Sequence, residues 1–359
     1  MASSETLAPG ATIGIIGGGQ LGRMLAMAAA RLGYHTVVLD PAPTSPAAQV
    51  ANDQITAPYD DFGALEALAH RCDVVTYEFE NVPVDGVAHL DGQVPVCPAP
   101  LALEIAQDRL VEKDFLNEIG IPTAPYATVD SQADVATAVS AVGGRAILKT
   151  RRLGYDGKGQ LRVSSVESIA PDTFAKLGSV PAIAEGFIDF DAEVSVICAR
   201  GVDGRCEVFD PARNVHRDGI LATSTVPAGL PPAILDAARN AAASLAEALD
   251  YVGVLGIELF VLADGSILAN EFAPRVHNSG HWTEAVCVPD QFEQHIRAIV
   301  GAPLSAPVRR ADCEMTNLIG DDIASTADLL AEPGAMIHLY GKAEARPGRK
   351  MGHITRITC

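Results

Sequence analysis

Two glutamates on neighbouring apolar segments carry the strongest chemical signal in this chain. Residues 252–262 form an apolar, β-branched run with Glu258 in its middle, and residues 266–272 form a return strand that ends in Asn270 and Glu271. Asp264-Gly265 between them is a two-residue hairpin signal. A turn centred on that pair sets Glu258 directly opposite Glu271, with Cβ atoms about 5 Å apart. Like charges at that spacing repel unless a cation lies between them, and Mg²⁺ favours one or two carboxylates together with substrate phosphates. The competing reading is one protonated carboxyl, or two solvated ones. Arg275, His277, Asn278 and His281 follow at once in the run 275–282, crowding basic and polar groups beside Glu271. An arginine fork suits a planar carboxylate or a phosphate. As a bland alternative the two histidines brace a loop, and Trp282 reads as core.

The elements that must position these groups are legible in order. Residues 12–16 are a short apolar strand, followed by a glycine turn through Gly17, Gly19 and Gly22, a helix over 21–32 and a strand over 36–39 closed by Asp40-Pro41. The glycines match G-x-G-x-x-G, and Asp40 falls where an NAD-binding domain keeps its ribose-binding acid, which makes NAD the guess from this stretch alone. Any doubly wound domain needs such a turn for close strand–helix approach, so the signal is weak by itself. A strand over 74–79 carries Tyr77, Glu78, Glu80 and Asn81 near its carboxyl end, where ligands of open α/β sheets bind, so Glu78 is a candidate contact. Next come an amphipathic helix over 108–119 and a strand over 146–148 that delivers Lys149. A basic, glycine-rich loop over 151–160 follows, suited to closing its backbone N–H groups over phosphates, although it lacks the G-K-[ST] of a Walker loop. Strands over 182–187 and 193–199 carry Glu185 and Glu193, Asn214 and His216 read as a polar loop before Gly219, and Pro231-Pro232 opens an alanine-rich helix to 249. In the tail, strands over 315–319 and 336–340 lead into Lys342 and the basic run 346–353.

Composition narrows the partners. The chain has 359 residues and a formal net charge of −19, which argues against nucleic acid because a polyanion is repelled over most of the surface. Residues 24–39 form the best apolar stretch, and Arg31 and His35 break it, so no membrane partner is expected. Residues 1–11 lack the basic and apolar regions of a signal peptide, and seven cysteines without a C-x-x-C pair suit a reducing cytoplasm.

The order of a lysine strand, a glycine flap, an acidic strand and a two-glutamate hairpin resembles the ATP-grasp superfamily. Within it, the runs 17–24, 77–81, 154–160, 214–221, 271–282 and 346–353 resemble the N5-carboxyaminoimidazole ribonucleotide synthetases of purine biosynthesis. The resemblance implies a mixed α/β and α+β chain. It would have an N-terminal doubly wound (Rossmann-like) domain over 1–107, an ATP-grasp domain over 108–305 and a small β-rich C-terminal domain over 306–359. It implies ATP and Mg²⁺ as cofactors, and aminoimidazole ribonucleotide and bicarbonate as substrates. Arg109 and Lys149 would contact phosphates, and Gly154, Tyr155, Asp156, Gly157, Lys158, Gly159 and Gln160 would form the flap. Glu185, Gly186, Phe187 and Ile188 would hold the adenine, and Glu193 the ribose. His216 and Asn270 would flank the phosphates, with Glu258 and Glu271 on the metal. Arg275 and His277 would handle bicarbonate and carboxyphosphate. Gln20, Leu21, Tyr77, Glu78, Tyr155 and Arg275 would meet the ribonucleotide, Asp156 would accept its amine proton, and Lys342 and Arg349 would clamp its phosphate. A cytoplasmic homodimer is implied as well. The rivals are a formate-dependent ligase of the same fold, an NAD-dependent oxidoreductase, and an idle ATP-binding regulator.

Overall fold

Apolar strand runs punctuated by glycine turns build three large sheets and one two-stranded ribbon, Cys287–Val288 with Val308–Arg309, among the described residues. The structure, a computed structural model, describes residues 6–154 and 159–358. Tyr155, Asp156, Gly157 and Lys158 of the expected flap lie outside the described residues.

The first sheet is parallel, in the order Asp53–Ile55, His35–Leu39, Thr12–Ile16, Val74–Tyr77. Strand Thr12–Ile16 turns at Gly17 (φ 107°) into helix Gln20–Arg31. A Cβ on Gly22 would lie 2.7 Å from the Gly17 carbonyl oxygen, so the close packing of turn on helix requires glycine there. The strand order reverses between Thr12–Ile16 and Val74–Tyr77, and the crevice at their carboxyl ends is where such sheets bind ligands.

The middle of the chain forms two antiparallel sheets. The smaller one runs Tyr126–Val129, Ala182–Gly186, Ala146–Thr150, Gln160–Val163, with helix Gln132–Ala141 packed on Val129, Leu148 and Ala184. The larger one begins Ile267–Ala273, Gly253–Val261, Ala192–Arg200, Ala212–Arg217, Ile220–Val226. It continues without a break into Asp312–Ile319, Lys350–Thr358 and Ala335–Leu339. The tail, expected as a small β-rich C-terminal domain, joins its strands to the central sheet through pairs such as Thr223 with Thr316. Helix Pro232–Ala248 covers one face of this sheet with Leu245 and with Ala238, Ala241 and Ala242, whose small side chains let it sit close on Val196, Leu255 and Ile257. No helix among the described residues is long and apolar enough to cross a membrane.

Two local expectations change. Asn214 and His216 lie on strand Ala212–Arg217 and not in a loop, because Asp218 (φ 51°) and Gly219 (φ 78°) make a tight left-handed turn that pairs Arg217 with Ile220. The glutamate hairpin is also not closed by a two-residue turn. Val261 pairs with Ile267, Leu262 and Ser266 close the loop through a 2.9 Å bond, and Gly265 takes φ 82°. That loop is one residue longer than expected and would throw the register out. A bulge between Glu258 and Leu259 restores it by leaving Asn270 unpaired, so Glu258 still pairs with Glu271.

The first domain is tied to the ATP-grasp region by Arg31, whose Nη2 lies 2.7 Å from Asp290 and 2.9 Å from Glu293. Asp290 also caps helix Gln291–Ile299, accepting from the backbone N–H groups of Phe292 and Glu293. Asp290→Ala removes the cap and the ion pair together and is expected to cost about 2 kcal/mol. Urea unfolding with an unchanged denaturant slope measures it, and a loss near zero refutes the coupling.

Candidate active site

Glu258 and Glu271 face each other in a cleft ringed by cations from five different segments. Arg109, at the start of helix Arg109–Glu118, places Nη1 2.8 Å from Glu271 Oε2. Asp108 caps this helix and holds Arg151 at 2.7 Å, which fixes the first turn against the root of the glycine flap. Lys149 Nζ lies 2.9 Å from Glu185 Oε2, and Lys113 Nζ reaches the same oxygen at 3.5 Å while donating to the Asn270 carbonyl at 3.3 Å. His216 Nδ1 pairs with Glu193 on the next strand, and Lys350 adds positive charge near Glu258. Burial opposes ionisation of Glu271, yet Arg109 and Lys149 draw its carboxyl down to about 2. At Glu258, burial and then the Glu271 charge outweigh His216 and Lys350 and lift the carboxyl to about 7. The pair is thus split into one firm carboxylate and one that ionises near neutrality, the signature of two acids sharing a site. Glu271 is 42% exposed to the cleft, so its free oxygen faces the space where a ligand would enter.

The run after the hairpin folds back over this pair. Arg275 Nε pairs with Glu80 and its Nη1 donates to the Val276 carbonyl, while Nη2 carries no hydrogen bond among the described residues. His277 is held at both backbone groups by the Gln291 amide, at 2.9 Å each, and its Nδ1 meets Ser279 Oγ at 2.7 Å. Its Nε2 points at Glu258 Oε1, 3.6 Å away. Burial, then the charges of Arg275 and Lys350, hold the His277 imidazole down to about 3, so it is neutral. His281 and Trp282 are buried in the core.

At the first domain, the sequence-based NAD reading fails on hydrogen bonding. Gly18 N–H donates to Asp40 at 2.7 Å, and Gly19 and Gly22 N–H donate to the two oxygens of Glu78 at 2.6 and 2.9 Å. The protein's own carboxylates fill the positive helix start where a pyrophosphate would bind, and would repel it. Glu78 is only 7% exposed, and Tyr77, expected at the substrate, is 0% exposed in the core. Leu21 is also buried, leaving its backbone and the half-exposed Gln20 at the crevice. Lys342 donates to the Lys350 carbonyl at 2.7 Å and Arg349 to that of Glu344 at 3.0 Å, so both basic groups stand at one turn. That turn docks on the first domain through Gln49, which donates to the Gly341 carbonyl at 2.8 Å.

The other residues expected at the nucleotide follow the flap and the small sheet. Gly154 lines the cleft with Glu80, Arg109, Arg151 and Glu271, while Gly159 and Gln160 are exposed. Gly186 packs against Pro125, and the Phe187 ring carries the guanidinium groups of Arg145 and Arg162 at 4.4 and 4.8 Å, with Ile188 half-buried beside it. Sequence reasoning missed Glu112 and Lys113, which are buried beside Arg109 on one helix face, and Lys350. Three charges spaced i, i+3, i+4 were the available signal, but such a face ordinarily reads as solvated. A larger cavity of about 520 Å³, lined by residues of 91–100 with Arg200 and Asp250, holds none of these side chains.

Comparison with known proteins covers nearly the whole chain. Family profiles described as a ribonucleotide synthetase preATP-grasp domain, an ATP-grasp domain and a phosphoribosylaminoimidazole carboxylase C-terminal domain match residues 10–107, 114–292 and 313–358. An N5-carboxyaminoimidazole ribonucleotide synthase of Brucella melitensis is 62% identical over 98% of both chains. Its Pseudomonas aeruginosa counterpart is 46% identical over 96% of this chain and 93% of its own. The solved N5-carboxyaminoimidazole synthetase of Staphylococcus aureus with ADP aligns at a TM-score of 0.94 and 36% identity, covering 99% of this chain and 95% of that one. The Aspergillus clavatus enzyme in complex with ADP and 5-aminoimidazole ribonucleotide aligns at 0.91 and 34%, covering 98% and 94%.

The split carboxylates predict a pH dependence. The folded pKa of Glu258, about 7, lies above that of the unfolded chain. Its contribution to stability is therefore present below the unfolded value and is lost as pH rises through 7. In metal-free, nucleotide-free protein, Glu258→Gln should stabilise the fold by on the order of 2 kcal/mol at pH 8 and by clearly less at pH 5. Urea midpoints at the two pH values check this, and an equal effect at both contradicts it.

Proposed function

The chain belongs to the N5-carboxyaminoimidazole ribonucleotide synthase family of ATP-grasp ligases, and from that premise we propose which of its side chains carry each part of the reaction. The protein uses ATP to carboxylate 5-aminoimidazole ribonucleotide to N5-carboxyaminoimidazole ribonucleotide in purine biosynthesis. The observation that carries the residue assignment is the facing pair Glu258 and Glu271, with Arg109, Lys149 and His216 around it and the Arg275–His277 run over it.

ATP lies between the two middle sheets, its phosphates toward Arg109, Lys149 and the flap that starts at Gly154, its adenine toward Glu185–Ile188 and its ribose toward Glu193. Glu258 and Glu271 fit a hard divalent cation: both donors are carboxylate oxygens, and Glu258, at about 7, is a carboxyl awaiting a positive partner. Mg²⁺ held there would offset negative charge on the terminal phosphates. Bicarbonate attacks the γ-phosphorus, ADP leaves, and carboxyphosphate forms. Arg109 and Lys149 are placed to balance the charge that builds on the transferred group. Arg275, oriented by Glu80 and with Nη2 available, takes the carboxylate end, and neutral His277 donates from Nε2. The amine of the ribonucleotide then attacks the carboxyl carbon, phosphate leaves, and Asp156 on the flap accepts the amine proton. Lys342 and Arg349 hold the ribonucleotide's own phosphate at the turn that docks on the first domain. Water would hydrolyse carboxyphosphate, so the flap must close first. A homodimeric state, supported by the family resemblance, is decided by the mass measured in sedimentation equilibrium.

ADP release is expected only with ATP, bicarbonate and the ribonucleotide all present, and formate in place of bicarbonate should give none. ADP formed with formate alone would overturn the assignment of the carboxyl donor. Glu271→Gln should lower turnover at least about 100-fold with the fold intact by circular dichroism. Lys342→Ala or Arg349→Ala should raise KM for the ribonucleotide about 10-fold or more while kcat holds. A fall in kcat alone would move those two residues out of the clamp.

A further inference from the structure

A second constellation of ligating side chains lies behind the reaction loop. Glu284 stands on the short helix Thr283–Val286, directly after the Arg275–Trp282 run. His338 on strand Ala335–Leu339 and His353 on strand Lys350–Thr358 are direct cross-strand partners in the tail. Glu284 Oε2 lies 3.5 Å from His338 Nε2 and 3.9 Å from His353 Nε2, and one ligand atom from each of the three falls within 4.8 Å of the others. None of the three pairs with Glu258 or Glu271 among the described residues.

These separations are too long for good hydrogen bonds. They are close to what an ion imposes, since ligands held at roughly 2.0–2.2 Å in a tetrahedral array stand about 3.3–3.6 Å apart. Glu284 Oε2 and His338 Nε2 are buried with no hydrogen-bond partner among the described residues, an arrangement that native interiors avoid. His353 is prepared for ligation from behind: Tyr340 Oη and His353 Nδ1 are 2.9 Å apart, which orients the ring and leaves Nε2 toward Glu284. His281 stacks on the same ring at 4.7 Å, and its Nε2 is also unpartnered. Charges of both signs act on the cluster, Asp290 and Arg31 on Glu284 and Asp290 and Arg23 on His338.

We propose that Glu284, His338 and His353 bind one divalent transition-metal cation of the zinc class, with water at the fourth position. Two imidazoles and one carboxylate select such an ion over Mg²⁺, whereas the all-oxygen pair at Glu258 and Glu271 has the opposite preference, so one chain can sort two metals. The rings of His338 and His353 are stacked 4.8 Å apart with 14° between their planes. Binding therefore requires the partly exposed His338 ring to rotate until its lone pair meets that of His353. The ion would join three segments: the helix that follows the Arg275–His277 loop and the two tail strands that flank the Lys342–Arg349 turn. It would act as a clip between the reaction loop and the tail.

The test uses the full chain, stripped with chelator and free of nucleotide. Calorimetric titration with Zn²⁺ alone should show one equivalent bound that survives in E258Q/E271Q. E284Q and H338Q should each weaken that equivalent by about 10- to 100-fold. Co²⁺ should give a visible spectrum of a nitrogen-ligated, low-coordinate site in the parent and not in E284Q. Zn²⁺ should raise the melting temperature of the parent and leave that of E284Q unmoved, with both variants melting near the parent when metal is absent. A stoichiometry unchanged in E284Q and H338Q, an equivalent lost only in E258Q/E271Q, or no binding at all would each overturn the proposal.

Discussion

Two carboxylates cannot share a half-buried site without positive charge brought from elsewhere, and the whole middle of this protein is arranged around that constraint. Glu258 and Glu271 are placed by adjacent strands, but their partners are not local. Arg109 comes from a helix that precedes both middle sheets, Lys149 from the small sheet, His216 from two strands away and Lys350 from the tail. The result is an asymmetric pair. One carboxyl is drawn to about 2 by Arg109 and Lys149 against the cost of its burial, and the other is left near 7. Such a pair fits the proposed divalent cation and polyanion, whose opposite charges would complete it. That is the electrostatic condition a phosphoryl-transfer centre needs, with the charge offset assembled before the reaction starts.

The same logic recurs at the first domain with the opposite outcome. Its glycine turn builds a positive helix start, and Glu78 and Asp40 neutralise it from within. The turn is thereby spent on holding the crevice in shape and does not bind a pyrophosphate. Two residues further on, Glu80 leaves the domain and pairs with Arg275 on the reaction loop. Gln107 holds the intervening backbone by donating to the carbonyls of Glu80 and Val82 at 2.8 and 2.6 Å. Glu78 and Glu80 therefore fix, in turn, the floor of the crevice and the arginine that faces it. The tail closes the opposite side: its strands extend the central sheet, and its basic turn rests on Gln49 of the first domain.

Much of this was legible residue by residue. Strand Thr12–Ile16 was placed to the residue, and the facing of Glu258 and Glu271 was anticipated, although the turn that was expected to produce it is not the one present. A longer loop and a bulge at Asn270 offset each other, so the conclusion held for a reason that hydrophobic alternation does not reveal. The polar sequence around His216 suggests a loop, yet Asp218-Gly219 carries the hairpin signal that the strand obeys. Glu112 and Lys113 were passed over because a charged stripe on a helix is normally its solvated side. Here that stripe faces the cleft, and only the packing of the helix against strand Ile267–Ala273 turns it inward, with Glu112 accepting from the Phe272 N–H at 2.7 Å.

The sequence by itself determined what depends on neighbours a few residues apart: the strands and helices, the glycine turns, the flap's composition, and the family likeness that their order carries. Tertiary structure alone decided which charges meet. That Glu78 satisfies a helix start depends on the Gly19 and Gly22 backbone N–H groups, 59 and 56 residues away. The burial of Tyr77 and the joining of the tail strands to the central sheet likewise depend on distant residues. Local propensity acts over a turn or a strand, whereas the energy of a buried charge is set by whatever the completed fold places within a few ångströms of it.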